Sequence, residues 1–138
     1  MIKKDILALL LLIVLICLPL GVGSSDDVVE EEVYLLVRER ELLAFSAVGN
    51  RWVTQNLISG EQILQSKYGG HVAVVVTNLR VLGFSALVDR WDEEKLEGGE
   101  SMVTVKAEGN VGAVITNLRA FGFSAKLGRW SVKRFHLK

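Results

Sequence analysis

Cysteine and proline are almost absent from this chain. The single cysteine, Cys17, and the single proline, Pro19, both lie in an apolar segment near the N terminus. Because the rest of the chain has no cysteine, it cannot form a disulfide framework, a thiol nucleophile or a thiolate metal site. The two histidines, His71 and His136, are far apart in sequence, whereas a metal site needs about three or four convergent ligands. We predict neither a metal nor a cofactor.

An excess of charge of one sign is also missing. The chain has 16 basic and 16 acidic residues, so its net charge gives no reason to expect nucleic acid as a partner. The two signs are nevertheless separated along the chain. Acidic residues precede the repeats and basic residues end them, namely Asp26, Asp27, Glu30, Glu31 and Glu32 against Lys126, Arg129, Lys133, Arg134 and Lys138. Two solvated ends, or a head-to-tail match between ends or subunits, both agree with this pattern.

The N-terminal segment has the organisation of a secretory signal peptide. Lys3 and Lys4 precede an apolar run from Ile6 to Leu20, and small residues follow as far as Gly23. The run is shorter than the roughly 20 residues that a membrane span needs. We predict a signal peptide over residues 1–23, with a membrane anchor through residues 6–23 as the alternative. In both cases the protein is exported, and we expect a periplasmic or extracellular location.

One motif occurs three times at a constant spacing. Phe-Ser-Ala begins at Phe45, Phe84 and Phe123, in steps of 39 residues, and an Arg-Trp pair follows each copy. Residues 60–91 and 99–130 are identical at 16 of 32 aligned positions. Such a period indicates a repeat architecture. We predict an acidic linker over residues 24–32 and a β-repeat domain over 33–138, with repeats at about 33–59, 60–98 and 99–138.

Each complete repeat predicts four short strands in an antiparallel meander. The second strand is a nearly unbroken apolar run, which predicts burial of both of its faces. The first repeat lacks the equivalent of the first strand and is therefore incomplete. The first three strands cover Gln62 to Tyr68, Val72 to Thr77 and Arg80 to Ala86 in one repeat, and Ser101 to Ala107, Val111 to Thr116 and Arg119 to Ala125 in the other.

Three-residue links join the third strand to the fourth. They end in Asn50, Asp89 and Gly128, the residue types that tolerate the left-handed conformation closing such a hairpin. The fourth strand begins at the Arg-Trp pair and is otherwise polar, which is typical of a sheet edge protected by charge.

Four strands in a tight meander describe a β-propeller blade. The segment Ala107-Glu108-Gly109-Asn110-Val111 resembles the "a-d-G-x-V" opening of the pyrroloquinoline-quinone-type propeller repeat. Leu118-Arg119-Ala120-Phe121 resembles the third strand of that repeat, and Gly128-Arg129-Trp130 resembles the "G-k-x-x-W" motif at its end. The resemblance covers about residues 33–138 and implies propeller-type blades. The chain departs from that family in its small number of blades, its shortened link to the tryptophan and its lack of a cofactor or metal-ligand pattern.

Three blades fall short of a propeller, which typically has about four to eight. We therefore predict a homo-oligomer that closes a ring of blades, most simply a dimer with twice the three repeats of one chain. The alternative fold is a β-trefoil, which needs three repeats of about this size and closes as a monomer.

No catalytic constellation is visible, and we predict that the protein is not an enzyme. The repeated serines have no histidine at a matching repeat position, and Glu93 and Glu94 point to opposite faces of a strand. The expected function is that of an exported assembly or protein-binding scaffold.

The alternative function is a small multivalent carbohydrate-binding module. Indole and guanidinium groups stack on and hydrogen-bond to sugars, although tryptophans at one repeat position also serve as apolar filler between blades. The candidate ligand-binding residues are Arg51, Trp52, Arg90, Trp91, Arg129 and Trp130.

Overall fold

The computed structural model describes residues 30–136, which form three antiparallel sheets. The predicted signal peptide and most of the acidic linker lie outside these residues. The first sheet contains β1 (Val33–Val37), β2 (Glu41–Ser46) and β3 (Arg51–Asn56). The second contains β4 (Ile63–Gly69), β5 (Val72–Thr77), β6 (Arg80–Ser85) and β7 (Arg90–Lys95), and the third contains β8 (Met102–Glu108), β9 (Val111–Thr116), β10 (Arg119–Ser124) and β11 (Arg129–Arg134).

The prediction of an all-β chain is confirmed. Each strand of residues 30–136 pairs only with its sequence neighbours in the same sheet, so these residues do not form the shared barrel of the trefoil alternative. The first sheet has one strand fewer than the others, as the incomplete first repeat predicts. Over the same range, the structure contains no helix long and apolar enough to cross a membrane.

The links between third and fourth strands close as the residue types predict. Asn50, Asp89 and Gly128 have φ angles of 49°, 51° and 62°, in the left-handed region that Asn, Asp and Gly tolerate best. These tight links fix the register in which each Phe of the repeated motif faces the Trp of the next strand, as in the pair Phe84 and Trp91.

The sheets stack face to face in chain order, with the second sheet in the middle. One apolar cluster lies between the first and second sheets and includes Leu42, Val75 and Phe84. The other lies between the second and third sheets and includes Val74 and Phe123. Neighbouring residues of β5 therefore enter different clusters, and all of Val72–Thr77 is buried, as the unbroken apolar run predicts.

The same prediction is wrong for β9. Its burial alternates along the strand, with Val114 buried and Val111 59% exposed. The reason is position in the stack, because none of the described residues covers the outer face of the third sheet. A run with the composition of a two-sided strand is one-sided when its sheet lies at the end.

A repeated ion pair closes the turn between the second and third strands. Arg80 donates from Nε to Glu61 Oε2 at 2.9 Å, and Thr77 Oγ1 donates to the same oxygen at 2.6 Å. Arg119 and Glu100 form the equivalent pair in the third sheet. Burial alone raises the pKa of Glu100, but hydrogen bonds from Arg119 and a hydroxyl outweigh it and hold that pKa at about 2.

The spacing between sheets differs at their two edges. At the hairpin after the first strand, backbone contacts backbone: His71 N donates to Gly109 O at 2.8 Å, and a Cβ on Gly70 would lie 2.4 Å from the same oxygen. Near the fourth strand, the indole rings of Trp91 and Trp130 lie between the sheets and donate to the backbone of the preceding sheet. The sheets therefore contact each other through glycine backbone at one edge and through indole rings at the other.

Candidate functional site

The tryptophans of the second and third repeats join adjacent sheets. Trp91 Nε1 donates to the carbonyl of Val53 at 3.0 Å, and Trp130 Nε1 donates to the carbonyl of Asp92 at 3.1 Å. Val53 and Asp92 are 39 positions apart, as are the two tryptophans, so both interfaces use one contact. Each indole fills space between sheets and also satisfies its own polar group.

The serines of the repeated motif make a second contact of this kind. Ser46 Oγ donates to the carbonyl of Ala86 at 2.8 Å, and Ser85 Oγ donates to the carbonyl of Ala125. Both serines and both alanines are fully buried. Sequence reasoning considered these serines only as nucleophiles. Their signal was the recurrence of Phe-Ser-Ala at one repeat position, which is also the signal of an interface.

The arginines of the Arg-Trp pairs point toward the following sheet. Arg51 Nε lies 3.2 Å from Asp89 Oδ2, and Arg90 Nη2 donates to the carbonyl of Gly128 at 2.9 Å. Trp91 instead contacts the preceding sheet, because successive strand residues point to opposite faces. The structure therefore does not bring Arg90 and Trp91 together in one pocket; each interface combines the arginine of one repeat with the tryptophan of the next.

The outer face of the first sheet, which we call the head face, is aromatic. Trp52 has its ring centroid 5.3 Å from that of Phe45 and 6.4 Å from that of Tyr34. Trp52 is 51% exposed, whereas Trp130 at the equivalent position is 8% exposed. The face comprises Tyr34, Leu36, Leu43, Phe45, Trp52 and Thr54, which are cross-strand partners of one another.

The outer face of the third sheet, which we call the tail face, carries smaller side chains than the head face. A groove of about 560 Å³ lies along it, lined by Val111, Gly122 and Leu127 among others. A Cβ on Gly122 would meet nothing within 4 Å, whereas one on the equivalent Gly83 would lie 2.6 Å from the ring of Phe123. The face comprises Val111, Ala113, Ile115, Ala120, Gly122, Ser124, Arg129, Ser131 and Lys133, in three cross-strand rows.

The polar groups of residues 30–136 are arranged for contact between sheets. Within that range, no group of three His, Cys, Asp or Glu side chains could hold a metal ion. His71 Nδ1 lies 2.7 Å from Asn110 Oδ1 and joins two hairpins, and His136 is exposed beyond the last strand. Among these residues, the outer faces of the first and third sheets are left uncovered.

Comparison with known proteins assigns no family to the chain. No protein-family model matches the sequence, and no curated protein matches it. The geometry of the head and tail faces is therefore the basis for a function.

Proposed function

We propose that this protein is an exported, non-catalytic β-repeat scaffold that assembles with itself and offers the assembled surface to protein partners. The observation that carries the proposal is the contrast between equivalent faces. Val72–Thr77 in the middle sheet is wholly buried, while the matching strands of the end sheets expose Tyr34 and Val111. Exposed apolar surface at both ends of one stack is typical of an interaction site.

Propeller-type closure is the form of assembly that we propose. Each chain supplies three sheets, and a ring typically needs about four to eight blades. The glycine contact at Gly70 and the indole contacts at Trp91 and Trp130 support a stack that curves, as blades around an axis must. Two copies would supply six blades, and the resemblance to the pyrroloquinoline-quinone-type repeat agrees with this form.

Export is part of the proposal and depends on the N-terminal segment. Lys3 and Lys4 followed by the apolar run to Leu20 have the charge and length of a secretory signal. The assembled scaffold would then act in the periplasm or outside the cell, or at the membrane surface if the segment is retained as an anchor.

The test is the mass in solution of the protein isolated from cells that express the full chain. Light scattering after size-exclusion chromatography is expected to give about twice the mass of one chain, because two copies complete a ring of six sheets. The apparent mass should not fall on moderate dilution. A monomer at every concentration would contradict the proposal.

A carbohydrate-binding role is the second candidate, and exposed Trp52 supports it. Its indole is available for stacking on a sugar ring, whereas Trp130 is 8% exposed. A glycan array would favour this role if it gave saturable binding that Trp52→Ala abolishes, and the absence of any bound glycan would count against it.

A further inference from the structure

We propose that the head face of one copy docks onto the tail face of a second copy, using the contacts by which the chain stacks its own sheets. The inference rests on the proposed self-assembly and names the surfaces that perform it. The chain builds the same interface twice, between its first and second sheets and between its second and third. The outer faces of the first and third sheets each carry one half of the same interface.

The head face supplies the half that carries the large aromatic side chains. Trp52 occupies the repeat position of Trp91 and Trp130, and Phe45 that of Phe84 and Phe123. In the two internal interfaces the indole N–H donates to the carbonyls of Val53 and Asp92. The next residue in that series is Ser131 on the tail face, so Trp52 of one copy would donate to the Ser131 carbonyl of the other.

The tail face supplies the half that receives them. The ring of Phe123 packs where Gly83 has no side chain, and the equivalent Gly122 faces open space, so a second copy's Phe45 fits there. Ser46 and Ser85 donate to the carbonyls of Ala86 and Ala125. Ser124 is the third serine of the series, and its acceptor by the same rule is the Ala47 carbonyl of the second copy.

One hydrogen bond of the internal interfaces has no counterpart at the two ends. Internally, Arg80 Nη2 donates to the carbonyl of Asn56 at 2.9 Å, and Arg119 Nη2 donates to that of Lys95 at 2.8 Å. At the head, the position of Arg80 is occupied by Glu41, and at the tail the position of Asn56 and Lys95 is occupied by Arg134. A carboxylate cannot donate to a carbonyl, and the Arg134 guanidinium already donates to Glu97 of its own chain, so the docked interface would lack this one hydrogen bond.

These observations favour a second copy over other occupants of the two faces. Head-to-head pairing would bring two aromatic faces together and would leave the open space at Gly122 unfilled. An unrelated ligand would not account for the agreement in position between Trp52 and Phe45 on one face and Ser131 and Gly122 on the other. The head-to-tail arrangement accounts for all four.

The experiment uses one variant in each face and their mixture. Trp52→Glu places a charge on the head face, and Gly122→Val fills the open space on the tail face. Each variant alone carries a defect at every interface, so we expect the dissociation constant of the dimer to rise at least about 100-fold, as for removal of a central aromatic anchor. Light scattering and sedimentation at several concentrations measure it.

Mixing the two variants is the decisive step. A head-to-tail pair then contains one interface formed by the normal head of Gly122→Val and the normal tail of Trp52→Glu, so the mixture regains heterodimers that neither variant forms alone. Leu79→Glu, at an exposed turn of the second sheet, and Gly98→Val, at a loop glycine with open space around it, are the matched controls and are expected to dimerise normally.

The outcomes separate the interface from the proposed function. A monomeric native protein overturns both. A native dimer that both variants leave intact overturns only the interface, as does a dimer lost in Trp52→Glu and kept in Gly122→Val, which indicates head-to-head pairing. Circular dichroism establishes that each variant folds, and Leu127→Glu, at a 67% exposed position lining the tail groove, replaces Gly122→Val if that variant does not.

Discussion

At the scale of single residues, each complete repeat contains a buried ion pair between a Glu and an Arg. Glu100 has no exposed side-chain surface, and Arg119 has 11%. An ion pair this buried stabilises a fold only while both partners are charged and hydrogen-bonded. The first sheet supports this view, because it lacks the strand that would bring the glutamate and has Glu41 in place of the arginine.

The depressed pKa of Glu100 predicts how stability depends on pH. Since that pKa is about 2 when folded and ordinarily near 4.5, the carboxylate stabilises the fold fully above about pH 5 and loses this contribution as pH falls toward 2. Its size is on the order of 3 kcal/mol. Urea unfolding between pH 7 and 2.5 measures it.

Glu100→Gln should lower the free energy of unfolding at pH 7 and flatten its fall with acid, because the titrating group is gone and Arg119 has lost its counter-charge. Glu108→Gln is the control, since the Glu108 side chain is exposed and its loss should leave the acid dependence close to that of the native protein. An unchanged pH profile in Glu100→Gln would contradict the role of the pair.

The ion pair also shows what residue-level reasoning from the sequence missed. Asn78 lies in the turn before Arg80, and its Oδ1 accepts from Gln62 N at 2.7 Å. The partner of Arg80 was missed because Glu61 is 19 residues upstream, before the first strand of the repeat. The same separation recurs between Glu100 and Arg119, and this recurrence was the available signal.

At the scale of strands and hairpins, local chemistry determines most of what is seen. The links ending at Asn50 and Asp89 adopt the predicted left-handed conformation, and the strand bounds follow the apolar runs and turns. The burial of a strand, in contrast, could not be predicted from its local sequence. Val72 and Val111 occupy equivalent positions in similar strands, yet Val72 is fully buried and Val111 is 59% exposed, because burial depends on whether another sheet follows.

The hairpin that joins β2 to β3 gives a prediction at this scale. Asn50 has a φ of 49°, which costs a β-branched residue roughly 1–2 kcal/mol. Asn50→Val should lower the free energy of unfolding by about that amount, whereas Asn50→Gly should leave it nearly unchanged. Thermal and urea unfolding of the two variants measures the difference, and equal stabilities would contradict the turn geometry.

At the scale of the whole molecule, residues 30–136 form a stack of three sheets with an uncovered face at each end. Trp52 and Trp130 stand in the same repeated motif, so the sequence predicts no difference in their exposure. The structure shows that Trp52 is exposed and Trp130 is buried. The prediction of self-association came from the number of repeats. The faces that would perform it are the two outer faces, because they carry the residues that form the internal interfaces in the other repeats.

The most direct test of head-to-tail docking is a thiol crosslink between two exposed strand positions. Thr54 lies on the head face and Lys133 on the tail face. Their equivalents in the first internal interface, Glu93 and Gln55, each lie two residues after the hydrogen-bonded positions Trp91 and Val53. The chain has one native thiol, Cys17, which Cys17→Ser removes. The two single variants Thr54→Cys and Lys133→Cys are then treated with a short thiol-to-thiol linker, separately and mixed.

Head-to-tail docking predicts covalent dimers in the mixture of Thr54→Cys and Lys133→Cys and none with either variant alone, because a head face meets only a tail face. Covalent dimers from Thr54→Cys alone would contradict it by showing that two heads meet. A mixture that remains uncrosslinked, although light scattering shows dimers, would contradict it equally.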